Sequence, residues 1–152
     1  MTVIRGFDFP EDLYYLVEKH VWVKPAGGGL VRIGLTPVAY QLLHNTLVAI
    51  SVRPRTLGQE VPKGKSVAMV ESLKYIGPVA APFTGVVTRA NERLLNDPDA
   101  AAADPYHDGW IAELRPCDWE SAVSELLTGQ AAMIAYRDLL EAQNLTAEPP
   151  AE

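Results

Sequence analysis

Cysteine occurs once, at Cys117, so no internal disulfide can staple this chain, and such usage suits a reducing compartment such as the cytoplasm. No apolar run reaches the length of a membrane span, and Met1-Thr2-Val3-Ile4-Arg5 lacks the layout of a signal peptide. Positive charge is scarce. Thirteen Lys and Arg stand against 19 Asp and Glu, a formal net charge of −6. That balance argues against nucleic acid or an anionic membrane as the main partner.

The familiar arrangements of catalytic and metal-binding residues are also missing. His20, His44 and His107 are far apart and have no cysteine or carboxylate at zinc-ligand spacing, so no metal site is expected. Cys117 has no local base to make it a nucleophile and reads as a partly buried small hydrophobe. The stretch Gly58 to Ser66, GQEVPKGKS, has five residues between its glycines where a phosphate loop needs four. Pro62 also removes an N–H, and a strand follows where a helix should begin, so the stretch is a turn. Asp97, Asp99 and Asp104 lack the glycine and glutamate pattern of a calcium loop. No catalytic set emerges, and the chain reads as a non-enzyme.

What is present is enough for one domain over residues 1–152, with 48% hydrophobic and 21% charged residues. Met1 to about His20 reads as irregular or as one short helix, with Phe9-Pro10-Glu11-Asp12 as its start signal. Val21–Val23 and Leu30–Ile33 are strands flanking Pro25-Ala26-Gly27-Gly28-Gly29, whose glycines permit the positive φ of a hairpin. Thr36-Pro37 opens a short helix to Leu43. Leu47–Val52 is a strand ended by Arg53-Pro54-Arg55, and Ser66–Glu71 is another. The segments VPKGKSVAMV and APFTGVVTRA look alike, as in a sandwich with an approximate internal twofold. Residues 91–106 form a surface loop with a short helix, and Gly109–Leu114 is a last strand. Trp119, Val123, Leu126 and Leu127 share one helical face that stops at Gly129; Met133, Tyr136, Leu139 and Leu140 share a second. These assignments give a core over about residues 10–118, a helical extension over about 119–143 and a frayed tail over 145–152. Trp22, Ile33, Val67, Met69, Val87 and Ile111 are the expected core residues, and Lys74 is expected to be highly exposed.

The lysine lies in Val70 to Pro78, VESLKYIGP, where a strand turns back on itself. Glu71-Ser72-Leu73-Lys74, then Ala81-Pro82-Phe83-Thr84-Gly85 and Asn91, resembles the lipoyl-lysine hairpin of the glycine cleavage H proteins. The likeness continues in order through His20-Val21-Trp22-Val23, Ile33-Gly34-Leu35-Thr36, Asp97-Pro98 and Asp104-Pro105-Tyr106-His107-Asp108-Gly109-Trp110. It implies a mainly β fold, a flattened barrel or sandwich of two antiparallel sheets with short peripheral helices and a C-terminal helical segment. It also implies lipoic acid as a covalent cofactor on Lys74, with Glu71, Ser72, Leu73 and Tyr75 as the recognition surface.

The chemistry of such an arm explains its placement. A lipoyl amide ends in a dithiolane that must leave the surface and visit other active sites; the protein supplies position and recognition. A tight turn projects the stem while paired strands fix its base. Lysine amines are almost wholly protonated at neutral pH, so amidation, which would take the net charge from −6 to −7, requires a lipoate ligase or lipoyl transferase. H proteins usually place small residues after the lysine, where this chain has Tyr75-Ile76-Gly77-Pro78. That run, with Arg5-Gly6 and Phe9 to Tyr15, more closely resembles the H-like lipoate-binding proteins of bacterial sulfur oxidation. Sulfur oxidation is therefore the expected role, with a heterodisulfide-reductase-like complex and dihydrolipoyl dehydrogenase as partners. The alternative is a glycine cleavage carrier of the aminomethyl group, serving glycine decarboxylase and aminomethyltransferase. A lipoate-free interaction domain is a third reading, set back by the intact Glu71-Ser72-Leu73-Lys74 setting. A biotin carrier is set back by Leu73 and Tyr75, which stand where that group has methionines.

Overall fold

The computed structural model describes residues 1–44 and 46–148. A ribbon of β1 (Thr2–Ile4) and β2 (Phe7–Phe9) opens the chain. It is followed by β3 (Tyr14–Leu16), a single 3-10 turn, β4 (Val21–Gly27) and β5 (Leu30–Leu35). Helix α1 (Pro37–Leu42) leads to β6 (Leu47–Ser51), β7 (Glu60–Val61), β8 (Ser66–Ser72), β9 (Ile76–Ala80) and β10 (Gly85–Ala90). Helices α2 (Arg93–Asn96) and α3 (Asp99–Ala103) precede β11 (Ala112–Pro116), α4 (Trp119–Ser124), β12 (Leu127–Thr128) and α5 (Gly129–Ala142).

Two antiparallel sheets make the sandwich. The larger has the order β12-β3-β4-β5-β11-β10-β7, and the smaller has β6-β8-β9, so β9 is an edge strand, with Pro78 in its middle. Their facing sides enclose one core: Val23, Ile33, Val87 and Leu114 meet Ile50, Val67, Val70 and Val79. A second core lies on the far side of the larger sheet. There the N-terminal ribbon and α5 cover Trp22 and Tyr15 with Phe7, Phe9, Met133, Tyr136 and Leu140. Because both faces of β4 are covered, Val21, Trp22 and Val23 are all buried, and the alternation of a one-sided strand is lost there. No helix among the described residues is long and apolar enough to cross a membrane.

Several expectations need correcting. The N-terminal twenty residues form strands, because Arg5 and Gly6 both take positive φ and close a two-residue turn of the I′ kind. Residues 91–106 hold two short helices where one was expected. Gly129 starts a helix rather than stopping one: α4 ends at Ser124, and Leu127 and Thr128 pair with Tyr15 and Tyr14. Leu127 is accordingly exposed. The region after 118 is therefore part of the larger sheet and of both cores, with Ala122 and Leu126 in the first and α5 in the second. Residues 145–148 are held: the Ala147 amide donates to Arg5 O at 2.8 Å, and the Glu148 amide donates to Gln41 Oε1 at 2.8 Å. The rest of the expected frayed tail, residues 149–152, lies outside the described residues. Five of the six expected core residues are buried. Met69 is only half-buried, since it shares the outward row of β8 with Glu71 while Val70 points inward. Cys117 is exposed, and its Sγ donates to Glu60 Oε1 at 3.1 Å. That hydrogen bond pushes its thiol pKa up, which favours the unreactive protonated form.

Candidate functional site

Strands β8 and β9 pair down to Glu71 opposite Ile76, leaving Ser72 to Tyr75 as the turn. Ser72 builds it. Its amide donates to Tyr75 O at 2.7 Å, its hydroxyl donates to the same carbonyl at 3.2 Å, and that hydroxyl accepts from the Tyr75 amide at 3.0 Å. Burial of Ser72 keeps water from competing for these bonds. A third strand buttresses the turn, since the Leu73 amide donates to Thr46 O at 3.2 Å. Lys74 therefore rises from a braced base. It is exposed and pairs with no carboxylate among the described residues.

The surroundings of the lysine are apolar rather than charged. Leu73, Tyr75 and Ile76 expose 74%, 51% and 66% of their surface, unusual values for such side chains clustered at one turn. The Tyr75 ring lies on the His44 imidazole, with centroids 5.6 Å apart and planes at 19°. His44 reaches it from a positive φ of 64°. Glu71 is exposed on the outward side of β8, near the turn but not in it. Of the expected recognition residues, Leu73 and Tyr75 flank the lysine, Glu71 stands beside it, and Ser72 is a buried brace. His44 and Thr46 escaped the sequence reading: they lie about thirty positions before the lysine, and no local pattern marks them.

Most other residues that carry the resemblance build the scaffold. A Cβ on Gly85 would meet Arg115 O at 2.7 Å, so only glycine fits where β10 crosses β11. Asn91 donates through Nδ2 to Asp108 O at 2.9 Å and Trp110 O at 2.7 Å, which ties the end of β10 to the loop before β11. His20 stacks on Tyr136, and His107 Nδ1 lies 3.0 Å from Asp104 Oδ1. No group of three or more His, Cys, Asp or Glu among the described residues is placed to hold a metal ion. A cavity of about 450 Å³ is bordered by Trp22, Arg32, Tyr106, Trp110 and Glu113 and does not include Lys74.

A β-sandwich that presents one unpaired lysine from a braced hairpin has the build of a carrier domain, with a fixed base for a covalently attached mobile group. Comparison with known proteins gives the family. Residues 13–138 match the Glycine cleavage H-protein family, and the chain belongs to it. The match runs past residue 118 into α5, in keeping with the structural role of that helix. The chain is 38% identical over 141 residues to "Glycine cleavage system H protein 2" of Aquifex aeolicus, covering 93% of this chain and 86% of that protein. It is 35% identical over 148 residues to "Probable glycine cleavage system H protein 2" of Sulfolobus acidocaldarius, covering 96% and 97%. A crystal structure of a glycine cleavage system H protein from Mycobacterium marinum superposes with a TM-score of 0.70 at 32% identity, covering 90% of this chain and all of that one. H proteins are carriers with covalent lipoamide on a lysine, so lipoic acid is the cofactor of the family. These names favour glycine cleavage over sulfur oxidation, reversing the order drawn from Tyr75 to Pro78.

Proposed function

We propose that Lys74 is the lipoylated residue and that the chain is the lipoyl carrier of a glycine cleavage system. The observation that carries this is the hairpin: one exposed lysine on a turn locked by Ser72 and buttressed by Thr46. Its residues fit the group, because nothing among the described residues covers the amine or pairs with it. When bound, the lipoyl dithiolane supplies a disulfide that opens by reduction and can carry cargo through sulfur. The chain contributes geometry. Ser72 fixes the direction of the stem, and the deprotonated amine would take the lipoyl acyl group from a donor activated by the attaching enzyme, with the donor's leaving group departing and a proton lost as the amide forms. Leu73, Tyr75 and Ile76 meet whichever enzyme encloses the turn. Those enzymes are a lipoate ligase or transferase, then glycine decarboxylase and aminomethyltransferase, all in the cytoplasm.

Intact-mass measurement after incubation with lipoate, ATP and a lipoate ligase tests the assignment. The expected result is one added lipoyl group on the wild type and none on Lys74→Ala, with both folded. Modification of the variant at Lys24, Lys63 or Lys65 would sink it.

One observation favours a second role. The exposed Tyr75 and Ile76 make the surface beside the lysine bulkier than the small residues usual in H proteins, which suits a different docking partner. That role is sulfur oxidation with a heterodisulfide-reductase-like complex and dihydrolipoyl dehydrogenase. Reconstituted glycine cleavage separates the two: efficient glycine-dependent turnover by the lipoylated chain supports the first role. Failure of turnover, with loss of sulfur-compound oxidation on gene deletion, supports the second.

A further inference from the structure

The outward face of the smaller sheet can be traced from the register. Ala49, Glu71 and Ile76 form one cross-strand row, and Ser51, Met69 and Pro78 form the next. Between them Ile50 and Val70 point inward and are buried. The far side of the larger sheet is sealed by the N-terminal ribbon and α5. Among the described residues the smaller sheet has no such cover. The helix nearest to it, α2, meets β6 from the inward side, where Leu94 and Ile50 border the same small cavity. Val48 and Ile76 stay 49% and 66% exposed near the lysine, so the upper part of this face is largely apolar around the exposed carboxylate of Glu71.

Its lower part is cationic. A notch of about 320 Å³ opens below Met69, bordered by Ser51, Arg53, Arg55, Thr56 and Ser66, with no carboxylate in its lining. Both arginines are exposed, and neither guanidinium makes a hydrogen bond or ion pair with any described residue. The positive charge here is that of Arg53 and Arg55, since Lys63 pairs with Glu125 at 3.1 Å and borders a different pocket, in a chain whose formal net charge is −6. The acidic total thus hides one locally positive face, on the same sheet as Lys74. Met69 lies three positions before Ser72, roughly 10 Å along the strand from the base of the Lys74 turn.

We propose that this face, from Ile76 down to the Arg53 and Arg55 notch, is where the enzyme that attaches the arm docks, with an acidic segment of that enzyme seated in the notch. The proposal rests on Lys74 as the attachment site. Enzymes that use the loaded arm have its full length to draw on. The attaching enzyme has no arm to draw on, only a lysine stem about 6 Å long, so it must close over the turn and lie on the surface beside it. Two unpaired arginines beyond an apolar strip give that contact an electrostatic anchor and fix its direction.

Steady-state lipoylation of the full unmodified chain tests this, with a lipoate–protein ligase, lipoate and ATP, followed by intact mass. In low salt the double variant Arg53→Glu/Arg55→Glu should raise the KM for the carrier about tenfold or more, with kcat changed less than about twofold. Its deficit should shrink in about 0.5 M salt, and Arg53→Gln/Arg55→Gln should fall between. Lys24→Glu, on the larger sheet, should leave KM within about twofold of wild type. An unchanged KM for both arginine variants, with normal lipoylation at Lys74, overturns the docking face and leaves the carrier reading intact. A wild-type chain that takes no lipoate at Lys74 overturns both. The arginine side chains hold nothing in the fold, and circular dichroism of the variants should match wild type.

Discussion

Gly34 faces Trp22 across the β4–β5 ladder, and a Cβ placed there would lie 2.6 Å from the indole ring. The indole is fully buried and cannot move aside, so Gly34→Ala should destabilise the fold by about 1–3 kcal/mol. A lower denaturant midpoint with a shifted tryptophan emission would show it. Ser72→Ala removes a hydroxyl that both donates and accepts within the turn, at a cost of about 1–3 kcal/mol. Faster amide exchange should appear at Tyr75 and not in β11; uniform exchange across the chain would contradict a local brace. The exposed turn that carries Lys74 was legible in the sequence because the Glu71-Ser72-Leu73-Lys74 setting is local. The His44 stack was not, because it depends on a backbone turn and on two segments brought together by β6 and β8.

Elements with strong turn chemistry could be read directly. The Gly27-Gly28-Gly29 run, all at positive φ, closes the β4–β5 hairpin as expected. Three-residue strands such as β1 and β2 are too short to show alternation, and α4 was over-extended because its apolar spacing continues into a strand. The 3-10 turn before β4 ends at His20, whose Nδ1 lies 3.4 Å from the Tyr136 hydroxyl on α5. Burial lowers the His20 pKa from its usual 6.5 to about 4. The unfolded chain therefore takes a proton at this position before the folded one does. Its share of stability is complete above pH 6.5 and drains away as the pH falls toward 4, by up to about 3 kcal/mol. Urea unfolding of wild type and His20→Asn should accordingly give a stability difference that changes between pH 7 and pH 4.5. A constant difference would refute the linkage.

On the scale of the whole molecule, the N-terminal ribbon and residues 145–148 are bound together. The Arg5 side chain donates through Nε to Leu145 O, Ala147 N donates to Arg5 O, and Gln41 Nε2 donates to Thr146 O at 2.9 Å. Leu145 and Ala147 pack on the second core. A chain ended after Gln143 should lose about 2 kcal/mol, or roughly 4–8 °C in Tm, with Lys74 still lipoylated. An unchanged Tm would show the strap to be idle. This second core was the least legible part of the fold. Its two halves stand at opposite ends of the sequence, and no periodicity within either half names the other.

Pro78 has a consequence for how concentrated the protein can become. Beside it lies a β-prone, poorly charged stretch, and β9 turns its free side to solvent. Such a margin invites another copy to add a strand, and repetition of that event builds fibrils. Proline has no N–H to offer an incoming strand, so the row of donors is interrupted in the middle of the vulnerable edge. The same five residues that hold up one side of the lysine turn thereby carry their own guard against templating aggregation.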